Sequence, residues 1–351
     1  MAEHLLEVTD LVTTYAGRGL RRRGHEVRAV DDVSLRVDEG EVFAIVGESG
    51  CGKTSTVQTI MRMVDPAAGT ILLDGTDITT LPERRLRPLR RAVQMVYQDP
   101  YESLDPRFTV RDTMLEPLLV HERSLSKEAR EARITDALHT VGLTPAEGYL
   151  GRYPHELSGG QRQRVAIAAA LVCGPRLLIA DEPVSMLDVS VRAGILELLG
   201  SLCARGLGII MITHDLATAA HFADRIAVMY LGRIVEQGPV DDVVRTPRHP
   251  YTRALLSVVP QPDPLVHQEP VILSGEAPDA SDVPPGCRFH PRCPIAVDAC
   301  RGTDPRLEAL DGTDHAVACL RVAETAGRDN GLLPSAAPAT VRDAQQTLDD
   351  G

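Results

Sequence analysis

The chain has 351 residues, of which 43% are hydrophobic and 25% charged, and its formal net charge is −12. This length fits one large domain or two smaller ones, and the negative charge argues against a nucleic-acid partner held by bulk electrostatics. No run of about 18 apolar residues is present, so the sequence predicts no membrane-spanning helix. The acidic N-terminus lacks a signal-peptide core, which predicts a cytoplasmic protein.

Apolar patterns predict strands that alternate with helices through most of the chain. The predicted strands cover residues 5–14, 27–37, 41–46, 69–73, 92–97, 177–180 and 208–213. The predicted helices cover residues 54–63, 82–91, 158–172 and 189–205. Residues 108–156 have a helical pattern without strand signals, as an inserted helical subdomain would. This order predicts an α/β fold with a buried, mostly parallel sheet.

Two stretches lie outside this pattern. Residues 17–26 form a basic, glycine-containing segment, and we favour a solvated surface loop over a phosphate or lipid contact. Residues 322–351 are polar and are predicted to be a disordered tail.

Residues 47–55, GESGCGKTS, match the P-loop pattern G-x-x-x-x-G-K-[ST] between a predicted strand and a predicted helix. Glycines allow successive backbone N–H groups to face one point, and the helix adds its positive end there. The pattern predicts that Lys53 reaches the β- and γ-phosphates of a nucleotide and that the Thr54 hydroxyl binds Mg²⁺. Cys51 is interpreted as a small filler that faces away from phosphate, rather than as a redox-active thiol.

Residues 177–182, LLIADE, form an apolar strand that ends in two carboxylates. Asp181 is predicted to hold Mg²⁺ through water, and Glu182 to polarise an attacking water. Phosphoryl transfer needs positioning, charge neutralisation and an oriented nucleophile. The two motifs together therefore predict nucleotide hydrolysis.

Residues 157–164, LSGGQRQR, resemble the signature sequence of ATP-binding-cassette (ABC) ATPases, and other motifs of that family follow in order. Tyr15 matches the residue that stacks on adenine, Gln98 the Q-loop, residues 183–188 the D-loop, and His214 the switch histidine. Met186 is larger than the residue usual at its place in the D-loop. The resemblance covers about residues 5–260.

The resemblance implies a P-loop NTPase core of the ABC type, with a mostly parallel sheet, an antiparallel N-terminal β subdomain and an inserted helical subdomain. It implies Glu182, His214 and Gln98 as catalytic residues. It implies ATP and Mg²⁺ as cofactors, with Thr54, Gln98 and Asp181 as magnesium residues. The implied nucleotide-binding residues are Tyr15, Gly47, Ser49, Gly50, Cys51, Gly52, Lys53, Thr54, Ser55, Gln98, Ser158, Gly159, Gly160, Gln161 and Asp181.

Such ATPases work as head-to-tail dimers. Ser158 and Gly160, at a predicted helix start, would face the γ-phosphate of a nucleotide on the partner subunit's P-loop. The second subunit is expected to be a sister ATPase or another copy of this chain.

Residues 97–110, 247–260 and 286–319 resemble the ATPases of dipeptide and oligopeptide importers. This implies two membrane permeases and an extracytoplasmic solute-binding protein as partners, and a peripheral location on the cytoplasmic face of the membrane. Alternatives are importers of nickel, oligosaccharides or other solutes, and a soluble ABC ATPase without a transport role.

The implied domains are a nucleotide-binding core (residues 1–98 and 157–245), a helical subdomain that contacts the permeases (99–156), a C-terminal extension (246–321) and the tail (322–351).

Cys287, Cys293, Cys300 and Cys319 crowd into the extension with the spacing C-x5-C-x6-C-x18-C. Four thiolates can bind a [4Fe–4S] cluster or Zn²⁺. Because paired zinc ligands are usually closer in sequence, we expect iron–sulfur first, zinc second and unmetallated thiols third. His290 and His315 could replace a cysteine but are expected to lie outside the ligand set.

Overall fold

The computed structural model describes residues 4–16, 26–99, 103–259, 270–273, 275, 278, 280–310 and 312–325. The strands are β1 (Leu6–Ala16), β2 (Glu26–Val37), β3 (Val42–Val46), β4 (Ala68–Leu73), β5 (Thr76–Asp77), β6 (Val93–Val96), β7 (Leu177–Asp181), β8 (Gly208–Thr213), β9 (Arg225–Tyr230), β10 (Arg233–Pro239), β11 (Glu308–Ala309) and β12 (Ala316–Val317). The helices are α1 (Lys53–Ile60), α2 (Glu83–Leu89), α3 (Val110–His121), α4 (Lys127–Thr140), α5 (Glu147–Leu150), α6 (Gly159–Leu171), α7 (Val189–Cys203), α8 (Leu216–Phe222), α9 (Val240–Arg245), α10 (Pro250–Ser257) and α11 (Ala299–Gly302).

The main sheet has the strand order β11-β12-β10-β9-β3-β8-β7-β6. The strands β9, β3, β8, β7 and β6 pair in parallel, whereas β10 and the two strands beyond it pair antiparallel. Every residue of β3, β7 and β8 is buried, as expected for parallel strands covered on both faces. The predicted parallel α/β core is confirmed.

A second sheet, in the order β2-β1-β4-β5, is antiparallel throughout. Apolar residues of this second sheet pack against α1 and against one face of the main sheet. Together they form one apolar core, which contains Leu6, Val8 and Ile71. This matches the N-terminal β subdomain that the family resemblance implied.

The predicted helical insertion is present as α3, α4 and α5. Thr109 caps α3 and Ser126 caps α4, each with a side-chain oxygen that accepts a backbone N–H. Apolar residues of these helices, such as Met114 and Leu138, pack in the larger of two core clusters. Their burial fixes the insertion against α6.

All four predicted helices end earlier in the structure than the sequence predicted, and for two of them the backbone gives the reason. α1 ends at Ile60 rather than at residue 63, because Arg62 has a left-handed φ of 53° that breaks the helical path. α7 ends at Cys203 rather than at residue 205, before Gly206 with a φ of 96°.

The C-terminal extension joins the main sheet, which the sequence did not predict. Its strand β12 pairs with β10 at Glu236 and Gln237, and β11 pairs with β12. The imidazole of His315 lies 2.8 Å from the buried Glu236 carboxylate. His315 therefore anchors the extension.

Some predictions fall outside the described residues. The basic segment lies there except for its last residue, Glu26, which begins β2. Of the predicted tail, Val322–Thr325 form a 3-10 helix and the remainder is not described. Among the described residues, no helix has both the length and the apolar character needed to cross a bilayer.

Candidate nucleotide-binding site

The P-loop connects β3 to α1, and the structure explains its glycines. Gly50 and Gly52 have φ values of 79° and 107°, a conformation that glycine adopts without steric cost. A Cβ atom on Gly47 would lie 2.2 Å from the carbonyl oxygen of Met229. The three glycines are thus required by backbone conformation or by close packing against β9.

Lys53 begins α1 and its side chain is buried. Its Nζ donates to the carbonyl oxygens of Gly47 and Glu48 at 2.7 and 3.0 Å. The ammonium group is therefore held against the loop in which phosphates would bind.

Thr54 and Asp181 meet beside the loop. The Thr54 hydroxyl donates to Oδ2 of Asp181 at 3.2 Å, and burial raises the pKa of the Asp181 carboxyl. Hydroxyl and carboxylate oxygens are ligands that Mg²⁺ prefers. These two residues, 127 positions apart in the chain, therefore fit the predicted magnesium site.

Glu182 follows β7 directly and is held by the two other predicted catalytic residues. Gln98 Nε2 donates to Glu182 Oε2 at 2.8 Å, and His214 Nδ1 lies 3.0 Å from Glu182 Oε1. The φ of Glu182 is 46°, a left-handed conformation that is costly for a residue with a side chain. Sequence-distant Gln98, Glu182 and His214 thus form one cluster at the ends of parallel strands.

Three further predicted residues lie at the same loop. The half-exposed Tyr15 donates from its hydroxyl to Ser55 Oγ at 3.4 Å, so its ring lies beside α1. Ser49 is exposed on the loop. Cys51 is buried, and burial raises the pKa of its thiol, which disfavours the reactive thiolate.

The signature residues form the start of α6. The Ser158 side chain accepts the N–H of Gln161 at 3.3 Å, and the Gln161 side chain accepts the N–H of Ser158 at 3.0 Å. Ser158 is exposed, while Gly159 and Gly160 are half-buried. This reciprocal cap orders the helix start at which Ser158 is exposed.

Glu48, Tyr251 and Arg292 also belong to this region, and the sequence did not single them out. The Arg292 guanidinium pairs with both carboxylate oxygens of Glu48, at 2.9 and 3.2 Å. The Tyr251 hydroxyl accepts the backbone N–H of Glu48 at 3.0 Å. A contact across 244 positions has no local signal in a single sequence.

The four extension cysteines line one narrow cavity together with Phe289 and His290. All four are free thiols, and burial followed by the neighbouring thiols raises the pKa of Cys287 to about 11. Within the described part of the chain, no three His, Cys, Asp or Glu side chains are arranged to hold a metal ion. The donor types suit a metal, but their arrangement does not, so the predicted metal site is not confirmed.

The P-loop, the Asp181–Glu182 carboxylate pair and the capped signature helix together define an ABC-type ATPase. The family model described as "ABC transporter" matches residues 30–185. A second model, "Oligopeptide/dipeptide transporter, C-terminal region", matches residues 235–300. The chain belongs to the family of ABC transporter ATP-binding proteins.

Relatives agree with this assignment over nearly the whole chain. A probable peptide ABC transporter ATP-binding protein of Sinorhizobium fredii is 47% identical over 349 residues, which cover 97% of this chain and 98% of the relative. A putative oligopeptide transport ATP-binding protein of Bacillus subtilis is 44% identical, over 92% of this chain and 97% of the relative.

Solved structures agree on the fold. A dimeric ATP-binding cassette in a post-hydrolysis state with ADP and Pi has a TM-score of 0.59 and 29% identity, covering 67% of this chain and 98% of that one. A Clostridium perfringens protein, part of an ABC transporter complex, has a TM-score of 0.61 and 30% identity, covering 69% of this chain and 91% of its own.

Proposed function

We propose that this chain is the ATP-binding and ATP-hydrolysing subunit of a peptide-type ABC importer. The observation that carries the ATPase activity is the Glu182 carboxylate, held between Gln98 and His214 beside Asp181. The relatives, which are named for peptide transport and are 43–47% identical, support the substrate class.

ATP binding would use the P-loop as the phosphate cradle. Its backbone N–H groups and the start of α1 favour an anion, and Lys53 would exchange its loop carbonyls for phosphate oxygens. Tyr15 would stack on adenine. Thr54, Asp181 and Gln98 would hold Mg²⁺, which when bound supplies neutralisation of the charge on the phosphate oxygens.

Hydrolysis would begin at Glu182. Its carboxylate would accept a hydrogen bond from the attacking water and orient it toward the γ-phosphate. Gln98 and His214 already contact that carboxylate, and so they position it. His214 is exposed and can also donate to the γ-phosphate.

The second half of each site would come from another ABC ATPase, either a sister protein or a second copy. Ser158, Gly159, Gly160 and Gln161 would close over the γ-phosphate on that subunit's P-loop. The exposure of Ser158 at a capped helix start supports this assignment.

The helical subdomain, residues 99–156, would contact two membrane permeases, and an extracytoplasmic solute-binding protein would deliver the solute. The chain would then be peripheral to the cytoplasmic face of the membrane.

Reconstitution tests the whole proposal. The chain would be assembled in lipid vesicles with candidate permeases and a candidate binding protein, with the Lys53→Ala variant as the inactive control. We expect a peptide mixture to stimulate ATP hydrolysis and to accumulate inside only with wild type. Stimulation by nickel or an oligosaccharide instead would change the substrate class, and recovery with ribosomes without permeases would refute the transport role.

We further propose, from the cysteine spacing and the shared cavity, that the extension thiols bind a [4Fe–4S] cluster, or Zn²⁺ in second place. The thiols would have to draw together and lose their protons, which metal binding can drive. Iron, zinc and acid-labile sulfide would be measured on anaerobically purified protein, with Cys300→Ser as control. Zinc without acid-labile sulfide refutes the iron–sulfur cluster. The absence of both iron and zinc refutes both metal sites.

A further inference from the structure

The C-terminal extension contacts the P-loop at Glu48. Arg292 of the extension forms a two-point ion pair with the Glu48 carboxylate. The Arg292 side chain is 9% exposed and that of Glu48 30%. A bidentate, largely buried pair of this kind fixes geometry as well as charge.

The backbone of Glu48 is held as well. Its N–H donates to the fully buried Tyr251 hydroxyl at 3.0 Å, and its carbonyl oxygen accepts from Lys53 Nζ at 3.0 Å. Burial raises the pKa of Tyr251, so this hydroxyl stays neutral. Glu48 thus links the extension to Lys53, which is predicted to bind the phosphates.

Aromatic rings pack around Arg292 and Tyr251, the two extension residues that bind Glu48. The rings of Tyr230 and Tyr251 lie 4.7 Å apart, and Phe289 meets Tyr230 edge-on at 5.3 Å. The Arg292 guanidinium lies 5.9 Å from the centre of the Tyr230 ring. Because Tyr230 is on β9 and Phe289 is in the extension, Arg292 and Tyr251 are supported from both sides.

We propose that Arg292 and Tyr251 are positioning residues for ATP binding, which hold the P-loop in its binding conformation through Glu48. The inference rests on the proposed ATPase function. A loop that is already ordered loses less conformational freedom when ATP binds. Arg292 also neutralises a carboxylate that would otherwise repel phosphate from a position inside the loop.

The effect should fall on nucleotide affinity rather than on the chemical step, because Glu48 is bound by Arg292, Tyr251 and Lys53, whereas Glu182 is bound by Gln98 and His214. We expect Arg292→Gln to raise the dissociation constant for Mg·AMP-PNP about tenfold, the size of one charge-assisted hydrogen bond. The KM for ATP should rise similarly, with kcat within about twofold. Tyr251→Phe should give a smaller rise.

Two further variants separate positioning from general destabilisation. Glu48→Gln in the Arg292→Gln background removes the unpaired carboxylate and should restore most of the affinity. Arg288→Gln is the matched control, because the Arg288 side chain is as buried as that of Arg292 but binds Asp31 and the Leu231 carbonyl oxygen rather than the P-loop. It should lower the melting temperature without changing affinity.

The experiment is isothermal titration of the full chain with Mg·AMP-PNP, accompanied by steady-state phosphate release. The inference is overturned if Arg292→Gln binds like wild type, if Arg288→Gln weakens binding equally, or if Glu48→Gln brings no recovery. If wild type itself fails to bind nucleotide, the proposed function falls and this inference with it. If wild type binds nucleotide and Arg292→Gln binds it equally well, only the positioning role is overturned.

Discussion

The two proposed halves of the nucleotide site on this chain differ in how they are held. The P-loop half is connected across the fold: Lys53 contacts the loop carbonyls, Thr54 contacts Asp181, and Glu182 contacts Gln98 and His214. The signature half is tied to its own helix by the cap between Ser158 and Gln161. The contacts of the first half join distant parts of one chain, whereas Ser158 of the second half is exposed on an ordered helix start, as the proposed dimer requires.

This difference separates two functions. Residues of the P-loop half should control what one chain does with a nucleotide, and signature residues should control what two chains do together. Binding by the isolated chain and turnover by the dimer therefore report on different residues.

The largest effect is expected from Glu182→Gln. Loss of the carboxylate that orients water should lower kcat by about 10²- to 10⁴-fold. Nucleotide binding should persist, because the Lys53 and Thr54 contacts are unchanged. Phosphate release and size-exclusion chromatography with ATP would show an inactive, ATP-stabilised dimer. Normal turnover would remove Glu182 from the mechanism.

Ser158→Asp tests the signature half. Aspartate keeps a helix cap but places a negative charge toward the partner's γ-phosphate, and such like-charge contacts cost several kcal/mol. Turnover should fall by about 100-fold or more, while AMP-PNP binding to the isolated chain stays unchanged.

Ser158→Ala is the opposite variant, since it loses the cap but adds no charge. Its stability should fall by about 1 kcal/mol, measured by denaturant unfolding, with more activity retained than in Ser158→Asp. Weakened binding by the isolated chain in either variant would contradict the division between the halves.

Asp181→Asn should separate stability from function within the P-loop half. Because burial raises the folded-state pKa of Asp181, the folded protein holds this proton more tightly than the unfolded chain. The contribution of Asp181 to stability therefore falls as the pH rises through its folded-state pKa.

The variant should melt at a higher temperature than wild type at pH 7 without Mg²⁺, and the gain should shrink toward pH 4. Mg·ATP should raise the melting temperature of wild type but not that of the variant. Thermal melts at both pH values check this, and a lower melting temperature of the variant at pH 7 would refute it.

The smallest effect is expected at the two signature glycines. A Cβ on Gly160 would lie 2.5 Å from Val191 Cγ1, whereas one on Gly159 would lie 3.7 Å from the nearest Leu187 atom. Gly160→Ala should therefore destabilise the free chain by about 1 kcal/mol through overpacking, and Gly159→Ala should not. Equal unfolding midpoints in urea would contradict the close approach of α6 and α7.

Much of the site was predictable because most of its residues lie in short sequence motifs. The P-loop, the acidic end of β7 and the cap at Ser158 each combine a short motif with a strand or helix that the apolar pattern predicts. Parallel strands bring their ends to one edge, which is why Gln98, Glu182 and His214 meet.

The contacts of the extension could not be predicted in the same way. The strands β11 and β12 have two residues each, too short for an alternation signal. The pairing of Arg292 with Glu48 depends on tertiary packing alone. Sequence spacing suggested a metal site at the four cysteines, but spacing carries no information on where the thiols point.

The pairing of β12 with β10 has one more consequence. Without the extension, β10 would be the outermost strand on its side of the main sheet, with its N–H and C=O groups free at Glu236 and Gln237. Such an open strand is a template for pairing with another molecule. We therefore expect a cassette shortened after Arg245 to associate edge to edge more readily than the full chain.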